Sequence, residues 1–451
     1  MLNRATGTKR LSRFLTDYGM LVVLIVLCLF FSILTIDDQH PTGEGAAKSL
    51  LGELRGEEAI PGGVIVVARE TAEELEFARA LERELPGTGY TTVTTITGDP
   101  ATVRARLTGL SKSAEAFPVI LTTQSYAPVV RTITSQFNAL AHIRIVTPPS
   151  YRWPTFLLPN NLRNVANQIS VIAIVAIGMT MVIITAGIDL SVGSLIALSA
   201  VVAAWLIAHL GGEGASAGAM MVGGLGGIVL CGAVGAFSGL VITRFLIPPF
   251  IATLAMMQVA AGMGYIISQG KPIYQLPEGF VTLGRGVDPM LGIPYAVILM
   301  AVLYVIAHIV MSRTTFGRYV YAVGGNMEAS RLAGIRVRAV LFSVYTLCGI
   351  LAGLGGVLMA SQLKSGAPTY GLTYELYVIA AVVVGGTSLS GGEGRIFGTL
   401  IGAFIIAVIQ NGMNLTNVES YTQKVVLGLV ILGAVLLDRL KHHRFRRRKS
   451  S

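Results

Sequence analysis

The residues able to do chemistry in this chain are few and sit in apolar surroundings. One is the carboxylate of Asp189, in the stretch Gly178–Ser194, two residues before Ser191. A carboxylate flanked by apolar residues is expensive in a bilayer and faces a cavity, a partner or an interface. Because Asp189 and Ser191 follow Gly187 at an expected helix break, two roles are open: capping the next helix, or contact with a substrate or gate. A second group lies in Arg313–Ile335. There Asn326 is a good N-cap, Glu328 sits where a helix dipole favours an anion, and Gly334 supplies a stop. Asn326, Glu328, Ala329, Ser330 and Gly334 are thus expected in a two-turn surface helix, either a docking knob for a soluble motor or an ordinary amphipathic loop helix. A third group is scattered through or beside apolar runs: Asn164, Asn167, Gln168, Gln258, Tyr265, Gln362, Glu375, Asn411 and Asn414. Each either lines a path for a polar solute or bonds a neighbouring helix.

No nucleophile–base set and no metal-ligand cluster accompany them. His308 is alone in an apolar run, His442 and His443 belong to a basic tail, and Cys28, Cys231 and Cys348 lie in apolar runs without metal-ligand spacing. No catalytic residue, metal or cofactor is expected. Within Val384–Arg395, Leu389-Ser-Gly-Gly-Glu393 is similar to the signature peptide of ABC ATPases. That peptide works only beside a phosphate-cradling G-x-x-x-x-G-K-[ST] loop. The nearest string, Gly264 to Lys271, has one residue too many and runs into Pro272. The glycines are expected to form a tight turn between two helices, and ATP hydrolysis belongs elsewhere.

The elements that must position these residues follow from composition. Of 451 residues, 53% are hydrophobic and 13% charged, with mean hydropathy +0.68. Soluble chains carry about 25% charged residues, so a cytosolic enzyme, a disordered protein and a nucleic-acid-binding domain are all excluded. Apolar runs near 20 residues predict spans at about 18–36, 165–185, 191–209, 219–241, 249–268, 293–311, 339–360, 373–388, 396–412 and 422–438. The 53 glycines lie largely inside such runs, as in closely packed membrane helices. The net charge of +10 is uneven: Asp37–Asn160 holds 14 acidic and 11 basic residues, leaving 23 basic against 10 acidic elsewhere. The positive-inside rule then puts this block outside and puts Lys9, Arg10, Arg13, Arg244, Arg313–Arg338 and Arg439–Lys449 inside. Ten crossings leave both termini in the cytoplasm.

The fold expected is an all-α polytopic membrane protein with a small α/β extracytoplasmic domain inserted after the first helix. Its divisions are 1–36, the N-terminus and first span; 37–150, the insert; 151–438, the transmembrane core; and 439–451, a basic tail. Within the insert, a Gly/Glu-rich linker over 37–62 precedes strands at 63–68, 90–97, 117–123 and 143–147. They alternate with helices at 71–85, 99–111 and 127–141, the first opened by a Thr71/Glu74 capping box. Strand–helix alternation implies a parallel sheet. The pattern resembles one lobe of a periplasmic binding protein. A sugar-sensing or docking role and an independently folded spacer are both open.

Residues 160–440 resemble permease subunits of bacterial ABC importers for monosaccharides, the ribose/xylose/arabinose/galactose group. The resemblance rests on Gly187-Ile-Asp-Leu-Ser-Val-Gly-Ser194, on Phe316-Gly-Arg318 with Gly324-Gly-Asn326 to Gly334-Ile335, and on Val384-Gly-Gly-Thr-Ser-Leu-Ser-Gly-Gly392. Glu328-Ala329-Ser330 with Gly334 is similar to the permease loop pattern EAA-x3-G, with Ser330 replacing the second alanine. The resemblance implies a dimer, homo- or heteromeric, in the inner membrane. It also implies ABC ATPase subunits on the cytoplasmic face, an external sugar-binding protein, and ATP-driven import of a monosaccharide. An ion-coupled secondary transporter would carry ionisable residues deep in several spans, whereas Asp189, Lys364 and Glu375 lie near predicted span ends. A receptor using the insert as sensor would need an output domain, and only about a dozen residues, mostly basic, follow the last span.

Overall fold

The computed structural model describes residues 19–54, 62–87, 92–110, 117–138, 140 and 142–449, with side chains described as far as 436. Lys9, Arg10 and Arg13 and the side chains of the basic tail fall outside these residues. Two compact units result: Ile36–Thr155, and the remainder of the chain.

The larger unit is helical: α1 (Gly19–Leu34), α6 (Pro159–Ile184), α7 (Val192–His209), α8 (Ala217–Phe245), α9 (Pro249–Ser268), α10 (Glu278–Arg285), α11 (Tyr295–Arg313), α12 (Thr315–Gly325), α13 (Met327–Leu332), α14 (Val337–Leu363), α15 (Tyr374–Val384), α16 (Ile396–Leu415) and α17 (Ser420–Lys449). Among the described residues, seven helices are long and apolar enough to cross a membrane: α6, α7, α8, α9, α11, α14 and α16. The apolar helices Gly19–Leu34, Tyr374–Val384 and Ser420–Leu436 are shorter. Helix α6 is the centre of the unit, with every residue from Ile169 to Ile184 buried. Helices α8 and α14 approach each other through small residues. A methyl added at Gly235 of α8 would lie 2.4 Å from the Tyr345 carbonyl of α14, and one at Gly349 of α14 would lie 2.4 Å from the Cys231 carbonyl of α8. Backbone-to-backbone contact of this kind supplies van der Waals attraction where lipid leaves no hydrophobic force between helices.

The smaller unit has a four-stranded parallel sheet ordered β3-β2-β4-β5, from β2 (Gly63–Ala68), β3 (Thr92–Thr97), β4 (Val119–Thr122) and β5 (Arg144–Val146). Helices α2 (Gly43–Leu54) and α3 (Ala72–Glu84) cover one face; α4 (Pro100–Leu110) and α5 (Ala127–Thr134) cover the other. Strands β1 (Ile36–Gln39) and β6 (Tyr151–Pro154) pair antiparallel where the chain enters and leaves. Three details differ from the sequence reading. The expected 37–62 linker contains β1 and α2, and α2 buries Ala46, Ala47, Leu50, Leu51 and Leu54 as an apolar stripe. Helix α5 ends at Thr134, about two turns earlier than the 127–141 expected. Thr71 makes no side-chain cap, and Glu74 instead accepts the Arg69 backbone N–H at 2.6 Å.

Candidate functional site

Two places in the larger unit bring several of the candidate residues together. The first is a cavity of about 380 Å³ lined from α6 by Gln168, from α14 by Gln362, from α15 by Tyr374, from α16 by Gln410, Asn411 and Asn414, and from α17 by Gln423. Apolar walls of Val165, Ile169, Ile172, Met359, Leu363 and Ala407 complete it, and its lining carries no charged side chain. The amides are held in place by neighbouring helices. Asn161 and Asn411 exchange hydrogen bonds of 3.0 and 2.9 Å, Gln362 Nε2 donates to the Asn167 carbonyl at 2.7 Å, and Gln423 Nε2 donates to Asn414 Oδ1 at 2.8 Å. Bonding a neighbouring helix and lining the cavity are therefore not exclusive. Asn167 lies beside this network, its Nδ2 donating to the Gly284 carbonyl at 2.9 Å.

Of the expected pathway residues, Gln168, Gln362, Asn411 and Asn414 meet here. Asn164, Gln258 and Tyr265 do not line this cavity and are exposed on α6 and α9. Glu375 is half-buried in the first turn of α15, close against Gly193. Asn161, Tyr374, Gln410 and Gln423 escaped the sequence reading. Gln410 lies one helical turn from Asn414, a spacing that puts both on one face. Asp189 and Ser191 also lie outside this lining, in the α6–α7 elbow. Asp189 is fully buried, and its Oδ1 accepts the Ser191 N–H at 2.9 Å and the Ser191 hydroxyl at 2.6 Å. It organises the turn before α7; Ser191, at the N-cap position, makes no side-chain cap.

The second place is the α11–α14 connection. It contains two helices, of which sequence reasoning found one. Thr314 Oγ1 accepts the Gly317 N–H to start α12, and Asn326 Oδ1 accepts the Ala329 N–H at 2.9 Å to start α13. Ser330, buried, donates its hydroxyl to the Asn326 carbonyl at 2.8 Å. Helix α13 closes with two bonds, Ile335 N to the Ser330 carbonyl and Gly334 N to the Arg331 carbonyl, both 3.0 Å. This double closure requires a left-handed residue, and Gly334 supplies it at φ +83°. The outer face of α13 presents Leu332, 88% exposed, beside an exposed Glu328–Arg331 pair at 3.4 Å.

Helix α12 joins this surface to the core. Gly324 sits so close to the end of α6 that a methyl on it would lie 1.7 Å from the Ile184 carbonyl oxygen. That oxygen accepts the Gly392 N–H at 2.8 Å, and Tyr321 Oη donates to the Gly394 carbonyl at 2.8 Å. The glycine-rich segment after α15 is thus a tight turn, with Gly391 and Gly392 at φ +82° and +78°, clamped between α12 and the α6–α7 elbow.

The family model described as "Branched-chain amino acid transport system / permease component" matches residues 161–435. The ribose import permease protein RbsC of Escherichia coli K12 is 43% identical over 311 residues, covering 68% of this chain and 95% of the relative. RbsC of Bacillus subtilis strain 168 is 46% identical over 290 residues, covering 64% and 87%. The L-arabinose ABC transporter permease protein AraH of Azospirillum brasilense is 37% identical over 296 residues, covering 66% and 85%. No solved structure matches the chain. With the amide-lined cavity, the doubly capped surface helix and these relatives in view, the chain belongs to this permease-component family and is the non-catalytic, multi-pass inner-membrane permease subunit of an ABC transporter.

Proposed function

We propose that the chain forms the membrane pathway for ATP-driven import of a neutral monosaccharide delivered by an external binding protein. The observation carrying this reading is the cavity whose polar lining is Gln168, Gln362, Gln410, Asn411, Asn414, Gln423 and Tyr374. Amides both donate and accept, matching hydroxyls that do the same, and the absence of a charged group in that lining leaves no strong single site to trap the cargo. Its volume lies within the roughly 300–1,000 Å³ of small-molecule sites. The relatives named for ribose and arabinose import support the cargo class.

The seven long helices and the three shorter apolar ones make ten crossings, with both termini cytoplasmic and residues 37–150 outside. This orientation rests on the acidic excess of the block and the basic residues around α12–α13. The chain works as a dimer, homo- or heteromeric, with α13 seated on a cytoplasmic ATPase subunit. ATP-driven movement of that subunit displaces α12. Because Gly324 abuts Ile184 and Ile184 holds Gly392, the displacement reaches α6 and the α15–α16 turn together, biasing a bundle with two openings. Asp189 holds the elbow on which this motion bears. Asn411→Leu, which removes the Asn161 pair and one polar wall, should lower uptake of the transported sugar at least about tenfold while ATP turnover by the complex continues. Unchanged uptake in this variant would remove the cavity from the pathway.

A further inference from the structure

The smaller unit holds a polar constellation of its own. The sheet order β3-β2-β4-β5 means that the chain leaves β2 toward one edge and, after β3, crosses to the other side at β4. The connection after β2 runs over the face covered by α3, and the connection after β4 runs over the face covered by α5. The two loops therefore diverge at the C-terminal ends of neighbouring strands. In open parallel sheets such a reversal leaves a crevice, which is where ligands bind.

This crevice is furnished with groups that recognise hydroxyls. From the loop after β2 comes Arg69; from the loop after β4 come Thr123, Ser125 and Tyr126; from the first turn of α3 comes Glu74. Glu74 is 7% exposed; its carboxylate accepts from the Ser125 hydroxyl at 3.1 Å and from the Arg69 backbone N–H at 2.6 Å, and its Oε1 lies 3.9 Å from Arg69 Nε as an ion pair. Ser125 Oγ is in turn 3.1 Å from Thr123 Oγ1. The Arg69 guanidinium donates from Nη2 to the Ser125 carbonyl at 2.9 Å and lies 4.8 Å from the centre of the Tyr126 ring, which stiffens it. Tyr126, buried, donates to the Gly98 carbonyl at 3.1 Å, fixing the end of β3 to the same place. The Arg69 side chain still keeps 43% of its surface open. A guanidinium has five N–H donors and a carboxylate about four acceptor sites, more than these internal bonds use.

The charges decide the ligand class. Arg69 and Glu74 stand side by side with no net charge, so an anion meets the carboxylate and a cation meets the guanidinium. A hydroxyl pair satisfies both, donating to Glu74 and accepting from Arg69. We infer that the crevice formed by Arg69, Glu74, Thr123 and Ser125 is a binding site for a neutral polyhydroxylated molecule of the sugar class, independent of the cavity between α6 and α17. With a single wall, its affinity should be weak, on the order of millimolar.

The test uses the full-length protein in nanodiscs, carrying an environment-sensitive fluorophore on Glu70→Cys, at the exposed rim of the crevice. Titration with D-ribose, L-arabinose and D-allose should give a saturable change for at least one of them, and D-ribose 5-phosphate none. The near-isosteric Glu74→Gln and the charge-preserving Arg69→Lys should each raise the half-saturation concentration at least tenfold while the protein keeps a cooperative melting transition well above the assay temperature. Asn411→Leu, in the other unit, should leave the titration as it is. Three results would each overturn the inference: no saturable response to any of these neutral sugars, a titration unaltered by Glu74→Gln, or a response to the phosphate ester alone. Loss of the signal in Asn411→Leu would assign the response to the membrane cavity and likewise overturn it.

Discussion

Gly324 and Gly325 are adjacent glycines with opposite surroundings, which makes them a matched test of the transmission route. A methyl added at Gly324 would lie 1.7 Å from the Ile184 carbonyl oxygen and 2.7 Å from the Gly392 nitrogen. Non-bonded atoms rest about 3.5 Å apart, and both neighbours are backbone, so α12 must shift. Overpacking of this kind costs about 1–3 kcal/mol. Breaking the Ile184–Gly392 hydrogen bond adds ~1 kcal/mol. Gly324→Ala therefore strains the structure by roughly 2–4 kcal/mol. At 1.4 kcal/mol per tenfold, strain borne by one of two bundle states shifts their ratio ~30-fold or more. Nothing lies within 4 Å of a methyl at Gly325, and that residue ends a helix. Gly325→Ala should be neutral or stabilising by up to about 1 kcal/mol. The assay is ATP-dependent uptake in proteoliposomes holding the complex, with the melting temperature of the detergent-solubilised protein measured in parallel. Gly324→Ala should lose most uptake and melt several degrees lower, while Gly325→Ala should match the parent. Equal behaviour of the two variants would refute the proposed contact route from α12 to α6.

Two further outcomes are expected. Asn326→Ala removes the α13 N-cap, at about 1 kcal/mol, and Gly334→Ala forces a methyl into a left-handed turn; both should impair sugar-stimulated ATP turnover while insertion stays normal, and Gly334→Asn should be the milder change because asparagine tolerates that turn. Outside the spans, the hydrogen bond and charge of Lys364 hold the Glu278 carboxyl below its usual range. A lowered folded value contributes stability above the unfolded carboxylate pKa of about 4.3, and this fades as pH falls through the folded value. Hydrogen-exchange protection of α10 should therefore be flat from neutral pH to about 5 and fall below it; Lys364→Met should abolish that dependence.

Seven of the ten expected spans were legible as long apolar helices because bilayer thickness sets a length that apolar runs reveal directly; the other three, at 18–36, 373–388 and 422–438, correspond to shorter apolar helices. Rotation of those helices was not legible. Helices such as α8 are apolar all round, with no stripe to say which side meets a partner, so Gln258 and Asn164 read as well as Gln168 and Asn411 did. The cavity depends on which faces converge, and small-residue contacts between its helices, such as Gly178 of α6 against Cys348 of α14 and Gly402 of α16 against the Ala381 carbonyl of α15, set them. The α13 cap was legible because capping is local: Asn326 and Gly334 act within their own turns. Gly324 carried no such signal, since its need for a missing side chain arises from Ile184, far away in sequence. In the smaller unit, the glycines and charges of 37–62 masked the apolar stripe of α2.

The most direct test of the account is uptake of a labelled neutral monosaccharide into proteoliposomes containing this chain, the ABC ATPase that co-purifies with it from native membranes, and the external binding protein. Accumulation should require ATP and all three components and be insensitive to collapse of proton and sodium gradients. Accumulation driven by an ion gradient without the ATPase would contradict it.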